Sequence, residues 1–134
     1  MSTLHLELER EGPAVVVTMV GQMDGSSAKL FPAFLDEHLT AEDLCVVLNA
    51  TGLTFISSAG LRELMVLLKR LGKQKARPAI FGMTPPVALA MEIAGFDVLF
   101  ERAKDRVTAV KAVTPGAGDT PGLFSRLFKG GAPS

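Results

Sequence analysis

Two adjacent hydroxyl side chains, Ser57 and Ser58, stand where a predicted helix begins after a run of apolar residues. The N-terminus of a helix carries unpaired backbone N–H groups and a partial positive charge. A serine at this position can accept a backbone hydrogen bond as a simple helix cap. The same N–H groups also bind anions, so a phosphorylated serine would be stabilised there. The residue types therefore leave two interpretations open, helix capping and regulatory phosphorylation.

The sequence lacks the common signatures of catalytic and metal sites. It has no glycine-rich phosphate loop with a lysine, no Gly-x-Ser-x-Gly motif and no acidic cluster for a divalent ion. We interpret His5 and His38, which are not part of a metal-ligand motif, as solvated or capping histidines. The sequence thus predicts a binding protein that is not an enzyme and that has no metal or cofactor.

Charge and composition limit the classes of partner and the compartment. The chain has 134 residues, with 14 basic and 14 acidic side chains and no formal net charge. Because nucleic acid attracts basic surfaces, this balance argues against a nucleic-acid partner. The single cysteine, Cys45, can form no internal disulfide. No apolar stretch approaches the ~20 residues that span a bilayer, and the first residues do not resemble a signal peptide. We expect a soluble cytoplasmic protein.

Hydrophobic periodicity predicts strands that alternate with helices. Strands are predicted at residues 4–8, 14–20, 44–48, 78–83 and 98–100, and the first two form an antiparallel hairpin because their connection is short. Helices are predicted after a cap at Ser26 or Ser27, at residues 58–71, from Pro85 to a C-cap at Gly95, and at residues 105–113. The resulting fold class is α/β, with one mixed sheet that combines the antiparallel N-terminal hairpin and a parallel core with about four helices.

The second predicted helix has an apolar face and an exposed face. Five apolar residues at helical spacing are predicted to face the sheet: Leu61, Leu64, Met65, Leu68 and Leu71. Val66 then lies on the opposite face, between Arg62 and Arg70, and is a candidate contact for a partner protein. Arg62 follows Ser58 by four residues, about one helical turn, and could therefore pair with a phosphate on Ser58.

Residues 114–134 differ in composition from the predicted domain, residues 1–113. They are rich in Gly, Pro, Thr and Ser, which is typical of a flexible tail. Within the tail, a helix would place four large apolar residues on one side and two basic residues toward the other. The apolar residues are Leu123, Phe124, Leu127 and Phe128, and the basic residues are Arg126 and Lys129. Two turns do not form a stable helix alone, and the segment could dock on a partner groove or an anionic membrane surface.

The residues around Ser58 resemble the signature of a known protein family. The run Ile56-Ser57-Ser58-Ala59-Gly60-Leu61 resembles the Asp-Ser-Ser/Thr-Gly-Leu motif of STAS-domain anti-sigma-factor antagonists, also called anti-anti-sigma factors. Three further segments match motifs of that family in the same order: Gly21-Gln22-Met23-Asp24, Met83-Thr84-Pro85-Pro86-Val87 and Ile93-Ala94-Gly95-Phe96. The resemblance covers about residues 4–113 and implies the STAS fold.

The resemblance also implies roles for individual residues. Ser58 falls on the serine that is phosphorylated in the family, Gly60 on the glycine of the motif, and Asp24 on the acidic residue near the switch. Ser57 stands in place of the family's aspartate, so two adjacent hydroxyls are present and Ser57 remains an alternative acceptor. The predicted partner-binding residues are therefore Asp24, Ser57, Gly60, Arg62 and Val66.

The function implied by the resemblance is partner switching. The unphosphorylated protein would bind an anti-sigma factor that is also a serine kinase of the histidine-kinase-like ATPase class, and so release a sigma factor. The kinase would phosphorylate the protein and dissociate from it, and a PP2C-type phosphatase would reverse the modification. ATP would belong to the kinase, so no cofactor is expected.

Three alternatives remain open at this stage. The chain could be the STAS subunit of a lipid-transport ATPase complex, which shares the fold without requiring the serine. It could be a small-molecule-sensing STAS module, or its regulatory output could lie outside transcription. Fold resemblance does not separate these functions, because function resides in individual sites.

Overall fold

A computed structural model describes residues 3–72 and 77–115. The strands are β1 (Leu4–Glu11), β2 (Ala14–Met23), β3 (Cys45–Ile56), β4 (Ala79–Phe81) and β5 (Glu101–Ala103). The helices are α1 (Leu30–His38), α2 (Ser58–Gly72), α3 (Pro85–Ile93) and α4 (Arg106–Val113), and a 3₁₀ helix spans Phe96–Val98. Most of the predicted 114–134 tail, including its segment 122–129, lies outside the described residues.

The five described strands form one sheet in the order β1-β2-β3-β4-β5. β1 and β2 pair in the antiparallel direction. The other three pairs, β2–β3, β3–β4 and β4–β5, are parallel. The predicted mixed sheet, with an antiparallel N-terminal hairpin and a parallel core, is therefore confirmed, as are its four α-helices.

The sheet is covered on both faces, which explains the continuous apolar runs of β2 and β3. One face packs under α1, α2 and α3 and contains alternate strand residues such as Val15, Val46 and Leu48. The opposite face is smaller, and there Val16 and Val47 pack with Ala109 of α4. Strands buried on both faces are expected to be apolar at every position instead of alternating.

The structure corrects the predicted end of β3. A strand was expected at residues 44–48, followed by a loop, but β3 continues to Ile56. Asn49 and Thr51 lie within this strand, where the Asn49 side chain accepts hydrogen bonds from the Thr51 backbone and hydroxyl. Only Ser57 separates the end of β3 from the first residue of α2.

The structure also corrects the start of α1 and the position of β5. Neither Ser26 nor Ser27 caps α1, which begins at Leu30. The Ser27 hydroxyl is buried and donates instead to the Gln22 carbonyl at 2.6 Å. Val98, predicted to be the first residue of a strand at residues 98–100, is instead the last residue of the 3₁₀ helix. This helix follows Gly95, whose φ of 78° lies in the left-handed region that glycine tolerates. β5 therefore begins three residues later than predicted, at Glu101.

The apolar face of α2 is broader than predicted. Leu64 and Leu71 are buried as expected, and Leu67 is buried as well. The other predicted residues, Leu61, Met65 and Leu68, are partly buried and pack against the core. α2 packs on the sheet and also contacts α1, so a wider arc of its surface is covered.

Asp43, which precedes β3, is held by Arg10 of β1. The Arg10 guanidinium donates to both Asp43 carboxylate oxygens, at 2.8 and 3.1 Å, and the Thr40 backbone N–H donates at 2.8 Å. The hydrogen bond from Arg10 is the main reason that the pKa of Asp43 falls to about 2 from 3.8. The pair joins the start of β3 to the first hairpin.

We expect the Asp43–Arg10 pair to make folding stability depend on pH in the acid range. Because the pKa of Asp43 is lower in the folded than in the unfolded state, the stabilisation by the pair is complete above pH 3.8 and is lost as the pH falls toward 2. Urea unfolding at about pH 5 and about pH 2 should therefore show a larger loss for the wild type than for Asp43→Asn. An identical loss in both proteins would contradict this assignment.

Candidate functional site

Ser57 is the residue that caps α2. Its hydroxyl oxygen accepts hydrogen bonds from the backbone N–H groups of Ala59 at 3.2 Å and Gly60 at 3.4 Å. Its own N–H donates to the Met23 carbonyl at 2.9 Å, and its carbonyl accepts from Leu61. Helix capping, one of the two interpretations of the serine pair, is therefore the role of Ser57.

Ser58 is the first residue of α2 and is exposed. Within residues 3–72 and 77–115, its hydroxyl makes no hydrogen bond. The side chain is thus free of the capping role, and a group attached to its oxygen would project into solvent beside the helix N-terminus. This arrangement is what a reversible modification requires, because nothing in the described fold must be broken to reach the hydroxyl.

Gly60 allows the start of α2 to approach the end of β2. A Cβ atom at Gly60 would lie 2.6 Å from the Met23 carbonyl oxygen and 2.6 Å from Cγ1 of Ile56. Real Cβ atoms do not approach other atoms so closely, so the helix would have to move away from the sheet if residue 60 carried a side chain. Gly60 is therefore part of the packing that positions the two serines.

Asp24 follows Met23 and is brought to the same end of the sheet as the serines. Its carboxylate accepts hydrogen bonds from the Ser26 backbone and hydroxyl, both at 2.9 Å, and its backbone N–H donates to the Ser27 hydroxyl at 3.0 Å. The Met23 carbonyl binds the Ser57 N–H, so the two segments are linked through their backbones. The carboxylate orders the turn that precedes α1, next to the start of α2.

Arg62 and Val66 lie on the exposed face of α2, as predicted. Val66 is 46% exposed, and Arg62 has no carboxylate partner among the described residues. By contrast, Arg70 pairs with Asp36 of α1 at 3.0 Å. Arg62 is therefore a cation one turn after Ser58 that is not committed to another ion pair in the described fold.

Sequence reasoning missed two features around this site. Glu63 is buried, and its carboxylate pairs with the exposed Lys29 ammonium at 3.0 Å, which connects α2 with the turn before α1. Phe55 is 44% exposed at the end of β3, two residues before Ser57. A phenylalanine in a segment predicted to be a loop gave no signal of exposure, and Glu63 lies outside the apolar face predicted for α2, so its burial gave no signal either.

The described residues show no metal-binding cluster and no membrane-crossing element. In residues 3–72 and 77–115, no three His, Cys, Asp or Glu side chains are grouped in a way that could hold a metal ion. None of the helices in the same ranges combines the length and apolar character that crossing a membrane requires.

Comparison with solved structures shows the same fold in bacterial regulators. An anti-sigma factor antagonist from Mycobacterium paratuberculosis superposes with a TM-score of 0.73 at 20% identity, over 82% of this chain and 93% of that one. The phosphorylated form of the Bacillus cell fate determinant SpoIIAA superposes with a TM-score of 0.64 at 17% identity, over 82% of this chain and 100% of that one.

Sequence comparison identifies the family. The chain is 27% identical over 109 residues to BtrV of Bordetella bronchiseptica, a proposed anti-sigma factor antagonist. The match covers 81% of this chain and 94% of BtrV. A family model described as the STAS domain matches residues 5–109, which is most of the chain. The chain therefore belongs to the STAS domain family.

Proposed function

We propose that this protein is an anti-sigma factor antagonist that acts as a binding protein, not as an enzyme, and is switched by phosphorylation of Ser58. The observation that carries the proposal is the division of roles between the two serines. Ser57 caps α2, whereas the exposed Ser58 hydroxyl makes no hydrogen bond in the described part of the chain. The role proposed by the name of BtrV and the existence of a phosphorylated form of SpoIIAA support this choice.

In the proposed cycle the protein has two partners, a kinase and a phosphatase, and the cycle takes place in the cytoplasm. The unphosphorylated protein binds an anti-sigma factor that is also a serine kinase of the histidine-kinase-like ATPase class, and a sigma factor is released. The kinase transfers phosphate from its own ATP to Ser58, and the complex dissociates. A PP2C-type phosphatase then removes the phosphate, so that the protein can bind again.

Electrostatics gives a mechanism for release that does not require refolding. The phosphate adds a charge of about −1.5 to −2 to an exposed position at the helix N-terminus. In the free protein this charge is solvated and lies beside the positive end of α2. In a complex that covers Ser58, the charge would be desolvated. Changing from mostly bound to mostly free takes up to about 5.5 kcal/mol, which the cost of burying an unpaired charge can supply.

The same geometry favours partner switching over the other two STAS functions. A transport subunit or a small-molecule sensor requires no free hydroxyl at the start of α2. In a phosphorylation switch, by contrast, both an exposed Ser58 and an Arg62 without an ion pair in the described part of the chain have a role.

Phosphopeptide mapping tests the acceptor assignment directly. The protein is incubated with ATP and a candidate kinase partner encoded in the same genome, and the modified residue is identified by mass spectrometry. We expect phosphate on Ser58, with modification retained in Ser57→Ala and lost in Ser58→Ala. Phosphate found only on Ser57 would show that the capping residue is the acceptor and would overturn the assignment.

We expect Arg62 to stabilise the phosphorylated form. An Arg one turn after the phosphate can form a charge-assisted hydrogen bond with it, worth on the order of 1 kcal/mol at an exposed site. Phosphorylation should therefore raise the melting temperature more in the wild type than in Arg62→Gln. Lys69→Gln, which removes an exposed cation near the other end of α2, serves as the control. If the melting temperature rises equally in all three proteins, Arg62 does not contact the phosphate.

A further inference from the structure

Helix α3 and the 3₁₀ helix expose a group of large apolar side chains. Within residues 89–99 these are Leu89, Ile93, Val98 and Leu99, which are exposed by 57%, 78%, 69% and 38%. Leu89 and Ile93 are one helical turn apart, on the side of α3 opposite the buried Val87 and Met91. α3 contacts the 3₁₀ helix, so the four side chains lie on neighbouring elements. We call this group the α3 patch. Single exposed apolar residues are common, but four of them on two neighbouring elements favour an interaction surface.

The charged residues within the segment that carries the α3 patch are acidic. Residues 85–99 contain Glu92 and Asp97 and no Lys or Arg. Glu92 lies 3.4 Å from the Arg102 guanidinium, whereas Asp97 has no cationic partner in the described ranges. An occupant of the patch should therefore be apolar and carry basic residues.

Residues 122–130 of the same chain have this composition. They contain the apolar Leu123, Phe124, Leu127 and Phe128, the basic Arg126 and Lys129, and no acidic residue. Periodicity places the four apolar residues on one side of a helix, with the basic residues toward the other. The segment and the patch are thus complementary both in apolar character and in the sign of their charge.

The tail begins on the face of the sheet opposite α3, next to β5, the last strand of the sheet, around which it can reach the α3 patch. α4, which leads into the tail, contacts β4 and β5, and β5 contacts the 3₁₀ helix. The described chain ends at Pro115, seven residues before Gly122, and seven residues span at most about 25 Å. This length is comparable to the width of a domain of this size, whose radius of gyration is about 13 Å. A tether of this kind gives an effective concentration in the millimolar range, so a weak contact can be well populated.

We propose that residues 122–130 dock on the α3 patch of their own chain. The four apolar side chains of the segment cover those of the patch, and Arg126 and Lys129 lie near Glu92 and Asp97. The contact involves α3 and the 3₁₀ helix, whereas the proposed switch lies at the start of α2, so neither proposal depends on the other.

A single tryptophan can report the docking, because the protein has no Trp and no Tyr. In the full-length Phe124→Trp protein we expect a blue-shifted maximum of tryptophan emission and protection of the tryptophan from quenching by acrylamide. Adding Val98→Gln should lower the docked population by about tenfold or more, because the contact would bury a polar amide without a hydrogen-bond partner and leave the charges unchanged. Both signals should then approach those of exposed tryptophan. Val107→Gln is the matched control, since Val107 on α4 is 65% exposed and lies outside the patch.

The other outcomes each overturn the proposal. Exposed emission in both Phe124→Trp and a second reporter, Phe128→Trp, would show that the segment does not dock. Equal responses to Val98→Gln and Val107→Gln would show that the segment docks elsewhere. Emission that shifts with protein concentration would assign the contact to a second copy. A shift that appears only with phosphatidylserine vesicles would assign it to a lipid surface.

Discussion

Replacing Ser58 with aspartate should abolish tight binding to the kinase partner while leaving the fold intact. Ser58 is exposed and makes no hydrogen bond in the described fold, so the substitution adds a charge without removing a stabilising contact. In a complex that covers the start of α2, the carboxylate would be buried without a partner, and we expect a rise in Kd of about a hundredfold or more. Titration calorimetry with the purified partner, together with thermal unfolding of each variant, measures both quantities.

Ser58→Asn is the matched control, because it has the shape of aspartate without the charge. We expect it to bind much more tightly than Ser58→Asp, and Ser58→Ala to bind as the wild type does. Equal losses in the Asn and Asp variants would show that shape, not charge, causes release. Unchanged binding by Ser58→Asp would place Ser58 outside the interface and remove the basis of the proposed switch.

Which serine caps the helix could not be predicted from the sequence. Helix boundaries inferred from periodicity are uncertain by a residue or more, and Ser57 and Ser58 are equally good caps by type. The hydrogen bonds of the Ser57 hydroxyl to Ala59 and Gly60 decide between them. Ser57→Ala should therefore lower the free energy of unfolding by about 1 kcal/mol. Ser58→Ala should leave it almost unchanged, although Ser58 would give a similar loss if it were the cap.

The second half of β3 was missed for a physical reason. Its buried residues are Ala50, Leu53 and Ile56, a spacing of three that does not match the two-residue period of a strand. The spacing follows from irregularities in the pairing of β2 with β3, at Thr18/Val20 and Gly21/Gln22. An irregular ladder changes which residues face the core, so the alternation that identifies a strand is lost. Thr51 and Thr54, which lie between these buried residues, are exposed, and in the sequence this polar stretch resembles a loop.

The regular parts of the chain were predictable because one physical constraint determined each of them. β2 and the first half of β3 are buried on both faces, which requires uninterrupted apolar residues. α2 has one face on the core, so its leucines follow the helical period. Glu63 could not be placed in this way, because its burial depends on Lys29, a residue from a distant turn.

Replacing Gly60 with alanine should destabilise the protein, although alanine is the better helix former. The gain in helix propensity is about 1 kcal/mol at most. Against it, the new Cβ would lie 2.6 Å from the Met23 carbonyl oxygen, a backbone atom that the sheet holds in place, and 2.6 Å from Ile56 Cγ1. Overpacking of this kind typically costs about 1–3 kcal/mol, and because the Met23 backbone cannot move easily we expect a cost near the upper end of that range. After the gain in helix propensity is subtracted, the net loss of stability is about 2 kcal/mol. Thermal unfolding should show a melting temperature lower by roughly 8 °C or more. Because the Met23 carbonyl also binds the Ser57 N–H, the variant should bind the kinase partner more weakly as well.

Gly25→Ala is the matched control, since Gly25 is in the neighbouring turn and a Cβ there would meet no atom within 4 Å. It should leave stability unchanged or raise it slightly. If Gly60→Ala is as stable as Gly25→Ala, the close contact between α2 and β2 does not hold the serines in position.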